Sequence, residues 1–222
     1  PDLSLIYATD GYSPGVVAEG LAKAGISYVK IVAYDTSSEN IGLLKRGLFS
    51  GLIEQSPLIQ TYNAIIHLYN ACEVSWTPLS RKLFMDPIYI DKTNYLTYWD
   101  DAKDERVLRE EELSLMAVPE RSKSGKRYRF GVILPQVTGF FATLVAGVDA
   151  AREALSKYNV EIELVNVFHT QMDFGAATLV NPVIESFVKK GYDGFALTVI
   201  DSGIMGAINA AVAAGLKVTT FS

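Results

Sequence analysis

Two series of short apolar runs, each followed by a stretch of helical periodicity, constrain this chain more than any other feature. Residues 3–9 (LSLIYAT), 28–35 (YVKIVAYD) and 49–55 (FSGLIEQ) have the length and β-branched content of strands. Residues 13–25, 38–47 and 57–73 carry apolar side chains at helical spacing, with Pro14 in a first turn and Gly25 past an end. The second series repeats this order: strands at 128–135, 160–168, 193–200 and 216–222, and helices at 140–158, 177–191 and 203–215. Alternating strands and helices predict α/β architecture, with Rossmann-like, doubly wound parallel sheets. The shortness of the apolar runs predicts strands covered on both faces.

The stretch between the series has a different texture. Residues 85–101 are aromatic-rich and expected to be extended. Residues 102–116 (AKDERVLREEELSLM) are charged and expected to be a helix, and 117–127 (AVPERSKSGKR) a flexible linker. The linker's basic residues, Arg121, Lys123, Lys126 and Arg127 with Arg129 beyond, suit a solvated surface or a phosphate patch.

Composition narrows the function classes. The 222 residues are 49% hydrophobic, enough for one large domain or two lobes. A net charge of −5 argues against non-specific nucleic-acid binding, which needs a basic face. No apolar run is long enough to span a bilayer. Residues 1–20 hold Asp2, Asp10 and Glu19 without a basic start, so they do not read as a signal peptide, and the compartment stays open. The one cysteine, Cys72, lies in an apolar helical pattern and is expected to be an inert packing residue.

A catalytic constellation is missing from the sequence. It contains no Walker A, H-E-x-x-H or G-x-G-x-x-G pattern. The two histidines are separated: His67 lies inside the 57–73 helix, whereas His169 follows a strand. Three separated aspartates, Asp10, Asp35 and Asp201, leave a metal-using α/β enzyme as a minor alternative.

What recurs instead is polar and aromatic residues at the carboxyl ends of strands, where ligands bind in open α/β sheets. Thr9 and Asp10 follow the first strand, Asp35 the second and Gln55 the third. In the second series Gln136 and the pair Phe140–Phe141 follow the first strand, His169 and Gln171 the second, and Asp201 the third. Carboxylates and amides beside flat aromatic faces suit a polyhydroxylated ligand. Asp201, ahead of Ser202 and Gly203, also suits a helix cap. The two phenylalanines, being adjacent, are not expected to point the same way, so at least one should be core.

These segments resemble a known family. RFGVILPQVTGFFATLVAGVDAAREAL is similar to the first strand–loop–helix of type I periplasmic binding proteins and of the effector domains of lac-repressor-family regulators. Its aromatic pair stands where sugar-binding members carry NPFF or similar. GYDGFALTVIDSGIMGAINAAVAAGLKVTTF resembles the family's third unit, with Asp201 at the position of a sugar-binding aspartate. LSLIYATDGYSPGVVAEGLAKAG resembles a later unit written around AxNDxxAxG, with Thr9 in place of the common Asn. VKIVAYDTSSENIGLLKRGLFSGLIEQSPLIQTYNAI resembles the closing stretch, placing Asp35 and Gln55 on ligand-contacting positions; Tyr62 departs from the usual pattern.

The two blocks stand in reversed order relative to the family. Residues 1–99 resemble its C-terminal part and 128–222 its N-terminal lobe, joined by the charged helix and linker of 100–127. The expected arrangement is a segment across the junction of two tandem domains; the alternative is a permuted or shortened protein. The resemblance implies reversible binding of a monosaccharide by Phe140, Phe141, Asp201, Asp35, Gln55, Asp10 and Thr9, to which the strand-end position adds Gln136 and His169. It implies no catalysis, cofactor or metal. Expected partners are the sugar and a membrane transporter, such as an ABC transporter, a receptor or a fused signalling module. A homodimer is left open, and direct nucleic-acid binding by this segment is not expected. The alternative is the ligand-sensing effector domain of a lac-repressor-type regulator. A periplasmic or extracellular location goes with the first reading and a cytoplasmic one with the second.

Overall fold

A computed structural model describes residues 2–137, 140–167 and 176–221. In chain order the elements are β1 (Leu5–Tyr7), α1 (Ser13–Lys23), β2 (Lys30–Tyr34), α2 (Ser38–Arg46), β3 (Gly51–Glu54), α3 (Pro57–Glu73), β4 (Ile88–Ile90), β5 (Trp99–Asp100), β6 (Glu105–Arg106) and α4 (Glu110–Leu113). They continue as β7 (Tyr128–Leu134), α5 (Phe140–Leu155), β8 (Val160–Asn166), α6 (Ala177–Lys189), β9 (Gly194–Leu197), α7 (Met205–Ala213) and β10 (Lys217–Thr220). The α/β alternation expected from the apolar runs is present in both series. The chain forms two compact units, Pro1–Ser56 with Phe84–Ser114, and Pro57–Leu83 with Leu115–Ser222.

The first unit is built on a sheet of order β1-β2-β3-β4, parallel except for antiparallel β4. Ile31, Ala33, Leu52 and Ile90 point to one face and form a core with Ala18 of α1 and Ile41, Leu43 and Leu44 of α2. The opposite face has a different fate. Leu5 and Tyr7 of β1 and Tyr89 of β4 are each about half exposed, at 52%, 53% and 49%. The expectation of cover on both faces therefore fails here, although the runs are as apolar as those of the second unit.

The charged stretch 102–116 is not one helix. Ala102 N–H and Lys103 N–H donate to the Asp100 carboxylate, Asp104 adopts a left-handed φ of 54°, and β5 pairs with β6 as a hairpin. Only Glu110–Leu113 is helical. Local hydrogen bonding by aspartate has overridden a run of good helix formers.

The second unit carries a fully parallel sheet of order β10-β9-β7-β8. Tyr128, Phe130, Val132 and Leu134 point to one face, against α3 and α5; Ile133, Phe195 and Leu197 point to the other, against α6 and α7. Both faces are covered, as the apolar runs imply. The α3–α5 crossing is close: a Cβ on Gly147 would lie 2.3 Å from the Leu58 carbonyl oxygen, so glycine is required there. Residues 57–73 thus fold with the strands of residues 128–220.

The expected linker has no regular secondary structure and is tied to α3. Asn70 accepts from Glu120 N–H and donates to the Val118 carbonyl. The Glu73 carboxylate accepts from Lys123 N–H, Ser124 N–H, Ser124 Oγ and Tyr128 OH, which holds its pKa down at about 2. The basic cluster is largely paired: Lys126 with Asp193, and Arg127 and Arg129 with Glu161. Burial pushes the Cys72 thiol up to about 11, which suits an unreactive packing residue. No described helix is long and apolar enough to cross a membrane.

Candidate functional site

The parallel strands β1, β2 and β3 end at one edge of the first sheet, so their following loops lie together. Asp35 is the first residue after β2, and it stands in the left-handed region with φ 70°. For a non-glycine residue this conformation is uncommon and costs on the order of 1 kcal/mol. Its N–H donates to the Ile53 carbonyl at 2.9 Å, and Gln55 Nε2 donates to its Oδ1 at 2.8 Å. Burial raises the Asp35 pKa to about 6 against the opposing Gln55 hydrogen bond, with further upward contributions from Glu54 and Asp10. The loop after β1 closes over it: a Cβ on Gly11 would lie 2.7 Å from Asp35 Oδ2 and 3.0 Å from the Tyr34 carbonyl oxygen, so a larger residue would displace the Asp35 carboxyl or the loop.

Asp10 has a local task. Its Oδ1 accepts from Tyr12 N–H and Ser13 N–H and its Oδ2 from Ser13 Oγ, which caps the start of α1 and lowers its pKa. Thr9 is exposed beside it. Tyr7 and Tyr34 stand on neighbouring strands below these loops, hydroxyl to hydroxyl at 2.8 Å, with rings edge to face at 5.9 Å. The first unit thus gathers Asp35, Gln55, Asp10, Thr9 and two tyrosines at one sheet edge.

Several members of this group were not anticipated from the sequence. Asn40 is 2% exposed, and its Nδ2 lies within hydrogen-bonding distance of the Gly11, Tyr34 and Asp35 carbonyls. It belongs to the first turn of α2, whose N-cap Ser37 accepts from Asn40 N–H. Asn40 therefore ties two loops together by its side chain. An asparagine three residues past a serine was the available signal, and it reads as an ordinary cap.

In the second unit the strand order places β7 between β8 and β9. The connection from β7 runs one way and that from β8 returns past it, so the carboxyl ends of β7 and β9 form a topological switch point, the usual ligand position in open α/β sheets. Gln136 follows β7 and is half-buried. Asp201 follows β9; its Oδ1 accepts from Gly203 N–H and its Oδ2 from Ala177 N–H, and these bonds lower its pKa. The carboxylate thereby caps the turn ahead of α7 and joins it to the start of α6. Phe140 and Phe141 begin α5, with rings edge to face at 5.4 Å. Both are half-buried and both pack against the α3–α5 core. His169 and Gln171 lie outside the described residues.

Among the described residues no group of three or more His, Cys, Asp or Glu side chains is placed to hold a metal. His67 stacks on Trp76 with ring centroids 4.3 Å apart, and burial lowers its pKa. A groove of about 630 Å³ between α1 and α2 is lined by Gly15, Glu19, Glu39 and Arg46 and bridged by the Arg46–Glu19 pair.

No protein-family model matches the chain, and no curated protein matches it by sequence. Among solved structures it is similar to an ABC-transporter solute-binding protein from Burkholderia graminis in complex with D-arabinose, at 24% identity and TM-score 0.37, covering 44% of this chain and 32% of that one. It is similar to the transcription regulator CcpA of Lactococcus lactis at 24% identity and TM-score 0.34, covering 43% and 32%. It is similar to a galactofuranose-binding protein at 15% identity and TM-score 0.44, covering 98% and 55%. The chain spans about a third of the length of the first two and about half of the third.

Proposed function

We propose that this chain binds a small polar ligand, a monosaccharide, reversibly and without covalent chemistry, as a solute-binding component of transport or chemosensing. The observation that carries the reading is the Asp35–Gln55 pair. A part-buried carboxylate in a left-handed backbone position is hydrogen-bonded to an amide from the next strand, at the edge where parallel sheets bind ligands. A carboxylate beside a side-chain amide combines the group types that bind vicinal hydroxyls. In the second unit, Gln136, Asp201, Phe140 and Phe141 are proposed to contribute at the switch point. Thr9 and Asp10 are proposed as rim contacts of the first unit, and His169 as a contact of the second. The packing of α3 against α5 supports a permuted or shortened binding protein rather than a junction between two tandem domains.

The test is a thermal melt of the full chain, alone and with D-ribose, D-arabinose, D-glucose or D-galactose. Ligand at about 100 times its dissociation constant adds about 2.7 kcal/mol if only the folded chain binds. One sugar should raise Tm, and the rise should vanish in Asp35→Asn. A cooperative melt indifferent to all four would sink the reading.

A further inference from the structure

Glu54, the last residue of β3, is 3% exposed and sits between the two residues on which the proposed site depends. Its Oε2 accepts from Thr36 N–H at 3.2 Å and from Thr36 Oγ1, one residue past Asp35. Its Oε1 accepts from Ser56 N–H at 2.8 Å, one residue past Gln55. One carboxylate thus holds both loops at the point where each leaves its candidate ligand residue. Both loops carry left-handed backbone at non-glycine residues, with φ 70° at Asp35 and 54° at Ser56. Such conformations persist where surrounding bonds over-determine them.

A buried carboxylate needs compensation. It comes from the β5–β6 hairpin, part of the charged stretch that reads as a helix in the sequence. Arg106 Nε lies 3.9 Å from Glu54 Oε2, and Arg106 Nη2 donates to Glu112 Oε1 at 2.7 Å. Glu112, 5% exposed, also accepts from Ser56 Oγ at 3.2 Å and from Arg109 N–H. The guanidinium lies over the Tyr98 ring at 5.1 Å and donates to the Tyr98 carbonyl. Two buried carboxylates and one guanidinium therefore converge behind the site, and none of the three faces the strand-end loops as a free group.

We propose that Glu54 is a positioning residue: paired with Arg106, which Glu112 in turn anchors, it sets the Asp35 carboxyl and the Gln55 amide in the geometry that takes a sugar hydroxyl pair. This rests on the ligand role proposed above for Asp35 and Gln55. It assigns the hairpin a task at the site, and it gives Asp35 and Glu54 different roles at this edge: Asp35 meets ligand, and Glu54 orients it.

The experiment uses the full chain and the variants Glu54→Gln, Glu54→Leu and Thr36→Val. The first readout needs no ligand: the Asp35 carboxyl is titrated by ¹³C NMR. Glu54→Gln removes a neighbouring negative charge, so the Asp35 midpoint should fall and the Gln55 side-chain amide resonances should move. The second readout is the dissociation constant for whichever of D-ribose, D-arabinose, D-glucose and D-galactose shifts the melt. Glu54→Leu should weaken binding about tenfold, the equivalent of one charge-assisted hydrogen bond, with Glu54→Gln intermediate. If Glu54→Leu does not fold, Thr36→Val, which removes one donor, should still move the Gln55 amide. A lowered Tm with the Asp35 midpoint, the Gln55 resonances and the affinity unchanged would make Glu54 structural only and overturn the proposal. If no sugar binds, the ligand reading fails, and the titration alone still decides whether Glu54 sets the pair.

Discussion

The two sheets of this molecule start from similar apolar runs and end in different surroundings. In the second unit every strand-facing side chain of β9 is buried and helices lie on both faces. In the first unit the face bearing Ile31, Ala33 and Leu52 is buried, while the face bearing Leu5, Tyr7 and Tyr89 is half open. The difference teaches that an apolar run reports the capacity of a strand to be covered, and that cover itself depends on which helices are present. It also divides the chemistry. At the switch point of the second sheet the one candidate carboxylate, Asp201, is engaged by backbone N–H groups. At the edge of the first sheet Asp35 retains a side-chain partner of its own and an elevated pKa.

The comparison is tested most severely by core truncation. Phe130→Ala, at a fully buried ring between β7 and the α3–α5 layer, should cost about 3–5 kcal/mol in urea unfolding. A loss below about 1 kcal/mol would mean that the second sheet is no better covered than the first. Next in size is Asn40→Ala. It removes the side chain that ties the Gly11, Tyr34 and Asp35 carbonyls and should cost about 1–3 kcal/mol. Faster amide exchange in the loops after β1 and β2, with the second unit unchanged, would place the loss where the structure puts it.

Asp35→Asn should act in the opposite direction. An acid whose folded pKa lies above its unfolded value contributes most below the unfolded pKa, near 4, and loses that contribution as pH rises through about 6. The variant, which cannot ionise, should match the parent chain near pH 4 and exceed it at pH 7.5 by on the order of 1–2 kcal/mol, after allowance for partial exposure. Equal pH profiles for the two chains would contradict the burial of this carboxyl. Smallest of all is Leu5→Thr on the open face, half exposed, expected within about 0.5 kcal/mol of the parent chain. A cost of several times that would reveal a partner for this face in solution.

How much of this was legible in the sequence follows from the range of the interactions. The strands and helices of the second series were readable because period and length are local properties. Asp35 and Gln55 were readable as site candidates because they stand directly after strands. Glu54 was not, since nothing in GLIEQ distinguishes a buried carboxylate from an exposed one. Ser56 is its neighbour, but its partners Thr36 and Arg106 lie far off in sequence and meet it only in the fold. Arg106 and Glu112 were misread for a related reason: charges spaced along helix formers look solvated until an aspartate turn folds them inward. Asp201 was legible as a cap and as a ligand residue at once, and the structure supplies its capping bonds without excluding contact with a ligand.

The crossing of α3 with α5 has a consequence for synthesis. A ribosome delivers α3 before any strand it covers, since β7, β9 and β10 all follow it in the chain. Ile65, Ile66, Leu68 and Tyr69, buried in the finished unit, stay exposed in the nascent chain until residues 128–220 have emerged. Contacts of such sequence separation form late and slowly, and an apolar helix left waiting is a site for chaperone capture or aggregation. Translation paused between α3 and β7 should therefore yield a sticky chain, and one resumed past β10 a soluble one.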